Sequence, residues 1–317
     1  MKKKKERAGR LKHRSVPKGI LFYLKRDWRL YVMLVLPVAY YAIFKYIPMY
    51  GVTIAFRDYN LFKGINGSPW AGMKYFNRLF KQKEFFRVVR NTLVLNVLDL
   101  VFSFPAPVIL AIILSEIKGI RFRKVSQTIL YLPYFLSWVV IASIAIRLFA
   151  PESGIVNILI RRAGGTTVPF LTENGPWIAT YVAIGVWQSA GWGSIIFMAA
   201  IAGINGELYE AAMIDGAGRM QRIIHVTLPS IRSTIVMMLI LKLGGIMSIS
   251  YEKPYLIGNT IVREVSDVIS TYVYRVGLEA SNFSMATAVG LMQSVIGMVM
   301  IVGSNAIANR VDGSGIF

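Results

Sequence analysis

Few side chains in this chain of 317 residues are equipped for chemistry, and the ones that stand out lie inside apolar stretches. In "NTLVLNVLDLVFSF", Asn96, Asp99 and Ser103 follow at i, i+3 and i+7, which places them on one helix face. Lys242 falls in the middle of another apolar run, just ahead of Gly244 and Gly245. A third run carries Trp187, Gln188 and Trp192 among Gly185, Gly191 and Gly193, and a fourth has Gln293 near its centre. Ionisable groups in such surroundings are costly, so they mark function by default. Two roles stay open for them. Asp99 and Lys242 can neutralise each other as an internal pair, or they can line a hydrophilic path together with the amides. The tryptophans can line that path, pack between helices or anchor at an interface.

Covalent and metal chemistry find no candidates. The chain has no cysteine, which excludes disulfides, thiolate metal sites and cysteine nucleophiles. His13 and His225 are far apart in sequence, with no carboxylate at ligand spacing, so neither a zinc nor a histidine-based catalytic centre is expected. No GxxxxGK[ST] loop is present to cradle the phosphates of ATP. The expectation is a chain with no catalytic residue, metal or cofactor of its own.

The elements that must position these groups are membrane spans. Hydrophobic residues make up 55% of the chain and charged residues only 16%, against about 25% in an ordinary soluble domain. The apolar runs are continuous rather than alternating, which favours a helical protein over a β-barrel. Windows of about 20 residues fall at Leu30–Tyr50, Thr92–Ser115, Gln127–Phe149, Trp177–Ile204, Thr234–Ile249 and Met285–Ile307. At 1.5 Å per residue, Asp99 and Lys242 each fall within about 6 Å of their span centres.

Orientation follows from charge. The net charge is +20, and twelve Lys or Arg lie within residues 1–29 against Glu6 and Asp27. Such a tail reads as a cytoplasmic anchor to anionic lipid rather than a nucleic-acid site, and no cleavage signal follows it. Six spans then return both termini to the cytoplasm. Glu116–Ser126, with Lys118, Arg121, Arg123 and Lys124, falls inside as the positive-inside rule asks. The basic loop Gly51–Asn91 departs from that rule. Within it Tyr75, Leu79, Phe86 and Val89 recur at helical intervals, predicting an amphipathic helix on the outer membrane surface. A second interfacial helix is expected in "GILFYLKRDW", Lys45 is expected to snorkel, and Pro105 and Pro107 to kink the second span.

The expected organisation is a basic tail (1–29), a first span (30–50) and an extracytoplasmic segment (51–91). A five-helix core (92–307) and a cytoplasmic tail (308–317) follow.

One polar segment, 205–230, is more than a connector. In "ELYEAAMIDGAGRMQRIIHVTLP", Asn205 can cap a helix with Glu207 in its first turn, and Asp215-Gly216 and Gly218 then interrupt it. Met220, Ile223, Ile224 and Leu228 form one stripe of a second helix, which Pro229 is expected to stop. The small Ala211 and Ala212 suit a tight cleft, and Glu210 offers one directional charge; a solvated connector would show the same residues.

This segment resembles the EAA motif of ABC-importer permeases, a Glu-Ala-Ala, a Gly four residues after the last Ala, and a distal Leu-Pro. Glu210, Ala211, Ala212, Gly216, Leu228 and Pro229 occupy those positions, with Asp215 beside the glycine. "FRDYNLFKGINGSPWAGMKYFNRLF", "NTLVLNVLDLVFSFPAPVILAIILSE" and "YLPYFLSWVVIA" resemble the carbohydrate branch, especially permeases of the alginate-importer type. The resemblance implies an all-α type I importer transmembrane domain that pairs with a second, homologous permease. It also implies two ATP-binding subunits that hold ATP and Mg, an extracytoplasmic sugar-binding protein, and an oligosaccharide as cargo. Segment 205–230 would dock on the ATPase. Asn96, Asp99, Trp187, Gln188, Trp192, Lys242 and Gln293 would be candidates for the sugar path. The alternative is an ion-coupled secondary transporter, for which Asp99 is the only support and which leaves the EAA segment unexplained.

Overall fold

The computed structural model describes residues 26–312. Residues 1–25, which hold most of the expected basic tail and of its interfacial helix, and residues 313–317 lie outside the described residues. Among the described residues the regular structure is helical, and one isolated bridge pairs Arg57 with Trp70.

The chain divides into two compact units, Met1–Val52 and Thr53–Phe317. The first carries α1 (Trp28–Tyr41) and a π-helical turn holding Lys45; a 3-10 segment, Ile47–Phe56, then takes the chain into the second unit. Trp28–Phe56 is long and apolar enough to cross a membrane. Leu34, Leu36 and Phe44 are all exposed along it, as expected of a helix whose solvent is lipid.

In the second unit, the segment before the next span folds against protein. Asp58 accepts hydrogen bonds from Lys74 and Tyr75, both 2.7 Å, and these hold its carboxyl below the usual carboxylate range. The expected amphipathic helix is two helices, α2 (Lys74–Phe80) and the start of α3 (Lys83–Ser103). Leu79 is 0% exposed and packs with Phe85, Val88, Met285 and Val289, while Phe86 is exposed. The helical period was real, but its partner is another helix. The helix that carries the second candidate span begins nine residues before Thr92.

A one-residue interruption at Phe104 separates α3 from α4 (Pro105–Ser115), and together they form one candidate span, Lys83–Ser115. Pro105 opens α4, where its missing N–H leaves no bond unmade. The expected third span is not one straight helix. α5 (Ile120–Tyr131) runs into a 3-10 turn containing Pro133, and α6 (Trp138–Leu148) leaves at 101°. Leu136 is extended, and Ser137 starts the new helix by accepting from the Val140 N–H at 3.4 Å.

After α7 (Ile155–Arg162) comes α8 (Asn174–Ala202), the central helix, which packs chiefly on α4 and α3. Gly191 brings α8 so close to the end of α5 that a Cβ there would strike the Leu130 carbonyl. α9 (Gly206–Ile214) and α10 (Arg219–Ser230) follow, and α11 (Arg232–Gly244) bends 60° from α10. Pro229 is thus inside α10, not beyond its end. A π-helical turn at Ile223–Thr227 directly precedes it and removes the i−4 carbonyl arrangement with which a proline ring would clash. The extra residue of that turn also splits the predicted stripe. Leu228 packs against Phe197 and Ile231, whereas Met220 and Ile224 are exposed.

The chain closes with α12 (Glu252–Ile257), α13 (Ile269–Tyr274) and α14 (Phe283–Asp312). α12 is pinned from two sides. The Trp177 indole, 0% exposed, donates to the Ile257 carbonyl at 3.1 Å, and α12 lies against α6. Among the described residues, four helices or helix runs pass as spans by length and composition, and up to six do if each bent pair counts as one.

Candidate functional site

The polar groups singled out in the sequence fall partly together. A cavity of about 270 Å³ opens between α3, α6, α8, α11 and α12. Asn96 and Asp99 face it from α3, Gln188 from α8 and Lys242 from α11. Lys242 Nζ lies 2.9 Å from Asp99 Oδ2, and the Ser103 hydroxyl donates to Asp99 Oδ1 at 2.7 Å. Both charged side chains keep about a third of their surface open, so the pair is internal and faces the cavity at once. Asn96 donates to the Ile246 carbonyl at 2.5 Å, and Gln188 reaches the Tyr134 carbonyl at 3.5 Å.

Three candidates lie elsewhere. Trp187 borders apolar hollows beside α4 and α6. Trp192 stacks on Tyr134, ring centroids 4.9 Å apart and planes 7° from parallel. Gln293 donates to the Met247 carbonyl at 2.7 Å beside a separate hollow, which shares Ser248 with the cavity.

The sequence reasoning missed Trp138, Tyr181, Ser248, Ser250 and Lys253, all of which line the cavity. Lys253 arrives on α12 and is 8% exposed, with Nζ 3.7 Å from the Tyr181 ring centre and 5.6 Å from that of Trp138. Gly185 makes its room, since a Cβ there would strike the Lys253 ammonium. Lys253 follows Glu252 and precedes Pro254 in the long stretch between the fifth and sixth apolar windows, so no apolar run flagged it.

Breaking the Asp99–Lys242 pair from one side strands an ammonium. Asp99→Ala is expected to destabilise the purified protein by about 1–3 kcal/mol, allowing for the partial exposure of the pair. Adding Lys242→Met should recover most of that loss. Thermal unfolding of the two single variants and the double variant measures the coupling, and strictly additive losses would show that the pair is not a unit.

The second candidate region is the polar segment. Asn205 caps α9 by accepting from the Glu207 N–H at 3.1 Å. Gly216 takes φ +76°, Ala217 N–H reaches the Ala212 carbonyl at 2.8 Å, and Gly216 N–H reaches Met213 at 3.1 Å. That is a Schellman cap, and its left-handed residue favours glycine. The Tyr209 and Thr227 hydroxyls, 3.0 Å apart, tie α9 to α10, and Arg219 binds Glu116 at 2.7 Å, linking α10 to the end of α4. Glu210, Ala211, Asp215 and Pro229 are exposed, Ala212 is half-buried, and Ile214 is 87% exposed. No hydrogen bond or ion pair reaches Glu210 among the described residues. The segment is a capped turn that exposes Glu210, Met213, Ile214 and Asp215.

The sequence profile of the binding-protein-dependent transport system inner membrane components matches residues 105–313, a stretch that holds this turn and most of the cavity. The chain belongs to that family. Among individual relatives, protein LplB of Bacillus subtilis (strain 168) is 44% identical over 294 residues, covering 93% of this chain and 92% of that protein. The polygalacturonan/rhamnogalacturonan transport system permease protein YteP of the same organism is 41% identical, covering 95% and 94%. A chain of a bacterial alginate ABC transporter, solved in complex with an alginate pentasaccharide-bound periplasmic protein, superposes with a TM-score of 0.86. It is 37% identical and covers 94% of this chain and 100% of that one. This family member is therefore an all-helical, multi-pass membrane protein with the fold of an ABC-importer permease.

Proposed function

We propose that the chain is one of two permease subunits of an ATP-driven importer of oligosaccharides in the bacterial cell membrane. The observation that carries this reading is the capped α9–α10 turn, which holds Glu210, Ala211, Ala212 and Gly216 in an exposed, preorganised shape. Such a surface suits docking on a cytosolic ATPase. The cargo class is supported by relatives whose names and complexes concern polygalacturonan, rhamnogalacturonan and alginate. The hydroxyls and amides around the Asp99–Lys242 pair suit a polyhydroxylated cargo as well.

In this reading each bent pair counts as one span, giving six, with both termini and segment 205–230 in the cytoplasm and 51–91 outside. A second, homologous permease completes the path, two ATPase subunits bind ATP and Mg below, and a sugar-binding protein delivers cargo from the outer side. Closure of the ATPases draws the α9–α10 turns of the two permeases together. Through α11, and through the Arg219–Glu116 link to α4, the spans rock between inward and outward access. No bond is made or broken in this chain. Asn96, Asp99, Gln188 and Lys242 serve as the polar wall of the path, while Trp187, Trp192 and Gln293 border it or pack.

Uptake is expected to vanish when the ATPase subunit is made hydrolysis-dead and the permease is left intact. Transport of radiolabelled oligosaccharides into proteoliposomes of the reconstituted complex measures this. Uptake that persists and follows an ion gradient would instead identify an ion-coupled carrier.

A further inference from the structure

The cavity wall holds three charges: the Asp99 carboxylate and the Lys242 and Lys253 ammoniums. Asp99 is committed to Lys242 at 2.9 Å and to Ser103 at 2.7 Å. Lys253 is left over. Among the described residues no hydrogen bond or ion pair reaches its ammonium, although only 8% of the residue is exposed. Two rings attend it, Tyr181 at 3.7 Å and Trp138 at 5.6 Å. Cation–π contacts attract the charge but accept none of its three N–H donors. The ammonium opens on the cavity, so its acceptors must come from what the cavity holds, and an apolar residue of the same length would fill this aromatic slot without needing any.

The chemistry that repairs the deficit is an oxyanion. A neutral sugar offers hydroxyl oxygens but no charge, and a cationic one meets two ammoniums. The rest of the wall suits a sugar that carries an anion. Trp138 is partly open and offers a flat face for a pyranose ring, while Ser248 and Ser250 are exposed beside it to bond hydroxyls. We propose that Lys253 is the residue with which this permease reads a negative charge on its cargo. The cavity therefore takes oligosaccharides bearing a sugar oxyanion, either a uronic carboxylate or a sulfate ester. The inference rests on the cavity being the cargo path and adds the charge of the cargo and the residue that selects it.

The test uses the complete purified importer, both permeases with the ATPases, without the binding protein, whose own preference would mask that of the cavity. Equilibrium binding is measured for tetrasaccharides of galacturonate, mannuronate and guluronate, for their methyl esters, for a sulfated galactan tetrasaccharide, and for maltotetraose. At least one acidic member is expected to bind about tenfold or more tightly than its ester or than maltotetraose, the usual consequence of a hydrogen bond to a charged group. The carboxylate and sulfate arms tell the two oxyanions apart. Lys253→Met is expected to bring the acidic glycan down to the level of the neutral one while leaving the melting temperature unchanged or raised.

Equal binding of acid and neutral glycan to the wild type overturns the proposal, and so does a preference that survives in Lys253→Met. A fall in melting temperature with loss of all binding would give Lys253 a structural role and overturn it too. Binding of neutral glycans alone would leave the importer reading standing and remove this one, whereas binding of none would remove both.

Discussion

Gly191→Val is expected to abolish accumulation of the protein in the membrane fraction. At this position α8 crosses the last turn of α5, and a Cβ would fall inside the Leu130 carbonyl. Overpacking against a side chain can relax by a rotamer change. Here the obstacle is backbone, held within a helix that ends two residues before Pro133, so relief requires α5 to move away from α8. A destabilisation of at least about 3 kcal/mol follows, a large part of the stability of an ordinary domain. Gly175→Ala is the matched control. It lies in the first turn of the same helix with open space around its Cβ, and it should be neutral or slightly stabilising through the unfolded chain. Yield in the membrane fraction and thermal unfolding in detergent distinguish the two. Normal yield of Gly191→Val would mean that α5 and α8 are not in contact as described.

The contrast between what could be read from the sequence and what could not follows the range of the interactions. Asp99 and Lys242 were legible because each is costly alone in an apolar run, and the fold brings them to 2.9 Å. The cap at Asn205 and the break at Gly216 were legible because both are local devices, written in neighbouring residues. Lys253 was not, because its burial comes from Tyr181, Gly185 and Trp138, all more than sixty residues away in sequence. Periodicity in residues 74–91 identified helices correctly but could not say whether their apolar face meets lipid or α14, since both are equally apolar. The stop expected at Pro229 rests on the general rule that proline ends helices, and the π turn before it removes the clash on which that rule depends.

The last expected result concerns the α9–α10 turn. Glu210→Lys should leave the permease folded and inserted while removing the ATPase from the purified complex and with it all transport. Folding is spared because Glu210 lies mid-helix in α9, exposed and without an ion-pair partner among the described residues, and lysine is as good a helix former as glutamate. Docking is not spared. In the proposed docking, exposed Met213 and Ile214 supply apolar area but no direction, and Glu210, the acidic group in the middle of α9, supplies the charge that meets a basic partner. Reversing its charge replaces attraction by repulsion in a desolvated contact, which costs about 2–4 kcal/mol, a factor of 30 to 1000 in affinity. Gly216→Pro attacks the same surface by another route. Proline cannot take φ +76°, and it deletes the N–H that closes the cap on Met213, so α9 loses its angle to α10 while Glu210 remains. Co-purification of the ATPase with each variant, scored beside the melting temperature of the permease, separates the two routes. Retention of the ATPase by both variants at wild-type stoichiometry would show that the motor grips this membrane domain elsewhere.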